Sequence, residues 1–229
     1  MNVQEEPLLM KSKQRVQKHG EVFTPQWVVD KMISIPGIKE KVEDIFATFL
    51  EPSAGEGAFL LTIENAKLQC VSEQYSKELW NTYALWALSS IYGIEYLEDN
   101  LTVARQSMLK LFAEFYESVH RVPLSEQTDL YKSAKTIIWA NIVQGNTLTR
   151  KNLCEEEITF SRWMQVPDAE RMVERTHFTY SSLFTNEEEV KYVQGNLFDM
   201  LNQSQKEILP SKYVIVDIEQ VWREKKENG

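Results

Sequence analysis

The chain has 229 residues, of which 43% are hydrophobic and 11% aromatic, and its formal net charge is -9. This composition is typical of a globular protein with one full core, or of one domain with a small appendage. No apolar run approaches the ~18 residues of a membrane span, and Cys70 and Cys154 lack metal-ligand spacing. We therefore expect a reduced cytoplasmic protein without a membrane segment or a metal, whose acidity disfavours unaided binding to nucleic acid.

The sequence divides into three parts. Residues 1–20 hold a cluster of basic side chains and are predicted to be a solvated leader. Residues 21–149 alternate between helical and strand patterns, which indicates a parallel sheet with helices on its faces. In chain order we predict a helix at 25–34 with Thr24 as its N-cap, a helix at 39–45, a strand at 48–52, helices at 57–67 and 73–90, a strand at 90–96, a helix at 100–120 and strand structure at 136–146.

The pattern changes after residue 149. Segments 158–166, 175–184 and 212–222 are predicted to be strands, the first two as a hairpin, and a short helix is predicted at 197–207. Residues 150–229 therefore either complete the parallel sheet or form an appended β-rich segment.

The segment FLEPSAGEGAFLL at 49–61 joins a predicted strand to a predicted helix through a tight turn. Gly55 can adopt a positive φ, Gly57 lets a ligand approach the backbone, and the first amides of the helix then face that ligand. The next strand ends at Glu95, where an acid can accept hydrogen bonds from ribose hydroxyls. Glu51 would repel a phosphate, so the set favours an adenosine that carries an amino acid and a sulfonium over NAD.

Four segments together resemble the adenine-specific DNA methyltransferases of bacterial restriction-modification systems: GEVFTP at 20–25, LEPSAGEGAFL at 50–60, IYGIEYLEDN at 91–100 and IVQGNTL at 142–148. The resemblance implies the α/β, Rossmann-like fold of methyltransferases whose activity depends on S-adenosyl-L-methionine. Its mostly parallel central sheet would have helices on both faces, and would be either incomplete or followed by an irregular β-rich C-terminal part. The cofactor-binding residues that it implies are Phe23, Thr24, Pro25, Glu51, Pro52, Ala54, Gly55, Gly57, Glu95, Tyr96 and Asn146, the last replacing the family's aspartate.

The chain departs from that family in its catalytic motif, since Asn/Asp-Pro-Pro-Tyr/Phe occurs nowhere in the sequence. Asp217, which follows an apolar segment, is the nearest candidate for a catalytic acid. Three functions stay open at this point. The chain is a DNA adenine methyltransferase that reaches DNA through a specificity or methylase partner subunit, a catalytically inactive interaction module that keeps the fold, or a methyltransferase for a non-DNA substrate.

Overall fold

The computed structural model describes residues 24–184 and 213–223. Three predictions fall outside these ranges: the basic leader at 1–20, Phe23 as a cofactor contact, and the helix at 197–207. No helix in the described ranges is both long enough and apolar enough to cross a bilayer.

The described residues form six α-helices, six strands and two 3₁₀ helices. They are α1 (Gln26–Ile33), α2 (Ile38–Glu43), β1 (Phe49–Glu51), α3 (Ala58–Gln74), α4 (Lys77–Ser89), β2 (Ile91–Glu95), α5 (Glu98–His120), α6 (Asp129–Asn141), β3 (Ile142–Gln144), β4 (Thr159–Val166), β5 (Ala169–Thr179), a 3₁₀ helix (Tyr180–Phe184), β6 (Val216–Asp217) and a second 3₁₀ helix (Ile218–Arg223). The predicted α/β class is confirmed.

The first sheet is parallel, with the strand order β1-β2-β3. Leu50 lies opposite Tyr92, and Ile94 lies opposite Val143. Because all three strands run in the same direction, the loops that follow them leave the same edge of the sheet. Within the described ranges β1 pairs with β2 alone, so the other edge of β1 has no described neighbour.

The second sheet is antiparallel and separate from the first, with the strand order β4-β5-β6. The predicted hairpin is confirmed by β4 and β5, in which Phe160 pairs with Phe178. The bounds of its second strand, predicted at 175–184, are wrong, because β5 begins at Ala169 and residues 180–184 form a 3₁₀ helix. The strand predicted at 212–222 is mostly wrong, because among the described residues 213–222 only Val216 and Asp217 are in a strand and a 3₁₀ helix follows them. The described part of residues 150–229 therefore forms its own sheet and adds no strand to the parallel one.

Different elements pack on the two faces of the parallel sheet. On one face, Leu60 of α3 packs so closely on Gly93 that a Cβ there would lie 3.1 Å from a Leu60 methyl group. On the other face, the buried Tyr92 ring lies 5.5 Å from Phe160 and 5.7 Å from Phe178, between ring centroids. We expected helices on both faces, but in the described residues the hairpin covers Tyr92.

Three other predictions of secondary structure need correction. The helix predicted at 73–90 is interrupted, because Tyr75 adopts an extended conformation and α4 begins only after Ser76. Residues 136–141 are the last part of α6, not a strand. Their isoleucines are β-branched and buried, a pattern that a buried strand and a buried helix share. Pro25, rather than Thr24, occupies the N-cap of α1, a shift of one residue.

Candidate functional site

The two glycines of the loop after β1 have different roles. Both have a positive φ, 56° at Gly55 and 97° at Gly57, which side chains disfavour. A Cβ at Gly55 would meet no atom of the described residues within 4 Å, whereas a Cβ at Gly57 would lie 3.1 Å from the Ala104 Cβ of α5. Gly55 thus borders open space. The close approach that we expected from a ligand at Gly57 is made by α5 instead.

Glu95, at the end of β2, joins two of the loops. Its side chain is buried, with a relative exposure of 7%. One carboxylate oxygen accepts the Gly55 amide at 2.7 Å, and the other accepts the Leu97 amide at 2.8 Å. The acid and the glycine loop, which we predicted to act together on one ligand, are therefore in direct contact.

Glu51 lies at the end of β1, beside the same loop. The Ser53 amide donates to its carboxylate at 2.9 Å. Burial raises the pKa of Glu51, and this hydrogen bond opposes the rise only in part. A carboxylate that is partly removed from water gains more from a cationic partner than an exposed one does, so this position suits a positively charged ligand group.

Asn146 organises the loop after β3. Its side-chain oxygen accepts the amides of Leu148 and Thr149 at 2.9 and 3.3 Å, and its own amide donates to the Lys151 carbonyl. Because the oxygen closes this turn, the NH₂ group is the part of the side chain that can donate to a ligand.

The three loops are also fastened to one another. Four hydrogen bonds do this: from the Ala54 amide to the Ile94 carbonyl (2.9 Å), from the Gly145 amide to the Glu95 carbonyl (3.1 Å), from the Gln144 side chain to the Tyr96 carbonyl (3.1 Å) and from the Thr147 hydroxyl to the Pro52 carbonyl (2.5 Å). Leu97, Gln144 and Thr147 were missed in the sequence. For Thr147 there was a signal, since its hydroxyl follows the third strand within the segment IVQGNTL.

The two described residues of the predicted GEVFTP element lie at the start of α1. Thr24 precedes the helix, and the Pro25 carbonyl accepts the first helical hydrogen bonds. The side chain of Gln26 donates to the Thr62 hydroxyl at 3.0 Å, which fixes the start of α1 beside the second turn of α3. Thr24 and Pro25 thus directly precede a helix that is joined through Gln26 to α3, the helix that follows the glycine loop.

The hydrogen bonds of Asp217 give it a structural role. Its carboxylate accepts the Arg171 guanidinium at 2.8 Å and the Glu219 amide at 2.9 Å. The first contact ties β6 to β5, and the second begins the 3₁₀ helix. Asp217 therefore belongs to the antiparallel sheet, and not to the loops that follow β1, β2 and β3.

Comparisons with known proteins identify no relative of this chain. No protein-family model, curated protein or solved structure matches the chain significantly. Among residues 24–184 and 213–223, no group of three or more His, Cys, Asp or Glu side chains is arranged to hold a metal ion. What the site offers is a buried carboxylate, a partly buried carboxylate, open backbone at a glycine and an amide side chain.

Proposed function

We propose that the chain binds S-adenosyl-L-methionine at the carboxyl edge of its parallel sheet, and that it acts in DNA adenine methylation within a restriction-modification system. The observation that carries the proposal is the contact between the Glu95 carboxylate and the Gly55 amide, at a point where Gly55 borders open space. A nucleoside in that space would meet a buried acid and bare backbone together. The methyltransferase assignment itself rests on the four family-like segments.

The hydrogen-bonding groups of the site suit three parts of this cofactor, which are its ribose, its methionine end and its adenine. A carboxylate has about four acceptor positions, and the backbone amides use one on each oxygen of Glu95. The others can accept both ribose hydroxyls. Glu51 can pair with the amino group of the methionine end, and the NH₂ group of Asn146 can donate to a nitrogen of the adenine.

The chemistry divides between cofactor and protein. When bound, the cofactor supplies an activated methyl group on its sulfonium. The residues of this chain bind and orient the nucleoside. A target base must also be extruded from the duplex, at a cost of a few kcal/mol, and held by stacking and edge hydrogen bonds. The sequence lacks the tetrapeptide that does this in the family it resembles, so we assign base capture and DNA contact to a specificity or methylase partner subunit.

Calorimetric titration with S-adenosyl-L-methionine tests the cofactor site. Gly55→Val places a branched side chain in the open space and should abolish binding. Glu95→Ala removes hydrogen bonds to a charged group, each worth about 1.5–3 kcal/mol, so affinity should fall at least about tenfold. Glu98→Ala, which changes an exposed acid three residues away, is the control and should bind like the parent. If both site variants bind like the parent, the proposed cofactor site is wrong.

A second candidate function is that of a cofactor-binding module without catalysis. The contacts of Asp217 favour it, because both carboxylate oxygens of the candidate catalytic acid accept hydrogen bonds within the antiparallel sheet and its 3₁₀ helix, away from the proposed cofactor site. Incubation of the chain with tritiated cofactor and mixed-sequence duplex DNA separates the candidates. We expect no useful incorporation by the chain alone. Incorporation that appears with a partner subunit supports the first candidate, and its absence in every combination supports the second. Robust incorporation by the chain alone would show that it carries an unrecognised catalytic group.

A further inference from the structure

We propose that Glu95 is a positioning residue, which holds the glycine loop in its open conformation before any ligand arrives. The inference deepens the proposed cofactor site and rests on it only for the identity of the ligand. The carboxylate of Glu95 joins Gly55 in the loop after β1 to Leu97 in the loop after β2.

The loop needs such a support because its backbone conformation is unusual. Gly55 has a φ of 56°, and glycine has the greatest backbone freedom to lose on ordering. The Gly55 amide points at the carboxylate and donates to it at 2.7 Å. Hydrogen bonds to a charged acceptor are roughly twice as strong as neutral ones, so this contact favours one conformation of the loop.

The side chain at position 95 needs two acceptor atoms, which a carboxylate provides. Both of its partners are backbone N–H donors, so both side-chain atoms must be acceptors. Glutamine has one oxygen and one NH₂ group, and its NH₂ group would face either the Gly55 amide or the Leu97 amide, donor against donor.

This arrangement has a consequence for binding. A ligand that enters a preformed loop avoids the cost of ordering it, which otherwise reduces affinity. A change at Glu95 therefore weakens binding by two routes, through the lost contacts with the ligand and through the loosened loop. Only the loosening of the loop can be observed when no ligand is present.

The test uses the full chain without any ligand, by amide hydrogen exchange and ¹H–¹⁵N spectra at neutral pH. In the parent, the Gly55 and Leu97 amide protons should resonate downfield, as expected for donors to a carboxylate, and should exchange slowly. In Glu95→Gln at least one of the two should move upfield and exchange about tenfold to a hundredfold faster, as expected for the loss of a hydrogen bond to a charged group. The control Glu98→Gln should leave both amides unchanged.

Unchanged exchange and unchanged shifts of both amides in a folded Glu95→Gln variant would overturn the inference. If the variant does not fold, the Gly55 amide of the parent chain is the test. An upfield amide that exchanges at the rate of an unprotected amide would overturn the inference. A downfield amide that is protected from exchange would support it. None of these measurements involves S-adenosyl-L-methionine. A parent that binds no cofactor but shows both signatures refutes the proposed function and leaves the positioning role standing.

Discussion

Glu95 at the edge of the parallel sheet and Asp217 in the antiparallel sheet are both acids at the end of a strand, and each accepts two hydrogen bonds. The described donors to Glu95 are backbone amides, beside open space at Gly55. One donor to Asp217 is the cationic side chain of Arg171. An acid held by neutral backbone amides has spare acceptor positions for a ligand, whereas an acid that contacts a guanidinium already has a cationic partner within the protein. The kind of donor thus separates a candidate binding group from a structural one.

The same contrast applies to the space around each region. The loops after β1, β2 and β3 are fastened by a few hydrogen bonds and border open space among the described residues at Gly55. Between the two sheets, Tyr92, Phe160 and Phe178 form a buried aromatic cluster. We therefore expect changes in the cluster to affect stability most, and changes in the loops to affect ligand binding more than folding.

The largest effect is expected at the contact between the two sheets. Tyr92 is fully buried, and its hydroxyl donates to the Ser161 carbonyl at 3.0 Å. Tyr92→Ala should lower the free energy of unfolding by about 3–5 kcal/mol, because it leaves a large cavity in the cluster. Tyr92→Phe, which keeps the ring and removes only the hydroxyl, should cost about 1 kcal/mol. Urea denaturation measures both values. Equal losses in the two variants would show that aromatic packing does not join the sheets.

Next in size is a matched pair of changes at the two glycines. Gly57→Ala combines a left-handed backbone with a contact of 3.1 Å to Ala104, and should cost about 2–4 kcal/mol from strain and overpacking. The Cβ of Gly55→Ala meets no atom of residues 24–184 and 213–223 within 4 Å, so we expect only the backbone cost of about 1–2 kcal/mol. Thermal or urea unfolding of the unliganded variants gives the difference. A Gly55 variant less stable than the Gly57 variant would reverse the assignment of one glycine to binding and the other to packing.

A smaller effect on stability is expected at Glu64 of α3, a buried acid that differs from Glu95 in its hydrogen bonding. It is fully buried, and within the described residues neither of its carboxylate oxygens has a hydrogen-bond partner. Burial raises the pKa of Glu64 well above its ordinary value. Glu64→Leu should therefore raise the free energy of unfolding at neutral pH by about 1–3 kcal/mol, the cost of a buried unsatisfied group.

The pH dependence of stability gives an independent check on Glu64. Above the unfolded pKa of about 4.3, the unfolded chain releases this proton while the folded chain keeps it. The contribution of Glu64 to stability is thus greatest at acidic pH, and declines as the pH rises towards the raised folded pKa. Glu64→Leu should flatten that decline, and Glu73→Leu, an exposed acid on the same helix, should not. An unchanged slope in Glu64→Leu would contradict the prediction.

Much of the candidate site could be predicted because its signals are local. A strand, a turn with two glycines, a helix and a second strand that ends in an acid follow one another along the chain, and each has its own residue preferences. The fastening of the loops could not be predicted in this way. The bonds from Thr147 to Pro52 and from Gln144 to Tyr96 join residues far apart in sequence, and either side chain would be equally suited to solvent.

Sequence reasoning failed where local preference and tertiary packing disagree. Residues 136–141 have the apolar, β-branched character of a strand but end α6, where the Asn141 side chain donates to the Ser89 and Ile91 carbonyls and accepts the Trp163 indole. Lys67 is a second case. Its position on α3 is fully buried, and its amine donates to the Asp44 and Ala47 carbonyls, while burial lowers its pKa to about 7. A charged residue type normally indicates a surface position.

The sequence by itself determined the α/β class, the glycine turn between β1 and α3, the acid at the end of β2 and the β4–β5 hairpin. Each of these depends on the conformational preferences of neighbouring residues, which act in any context. Only the tertiary structure decided that Gly57 faces α5 while Gly55 borders open space, and that the hairpin covers Tyr92. It also decided that Glu95 is held by two backbone amides and Asp217 by an arginine. These outcomes depend on which distant groups meet, and the free energy of those contacts is set by the packing of the whole chain.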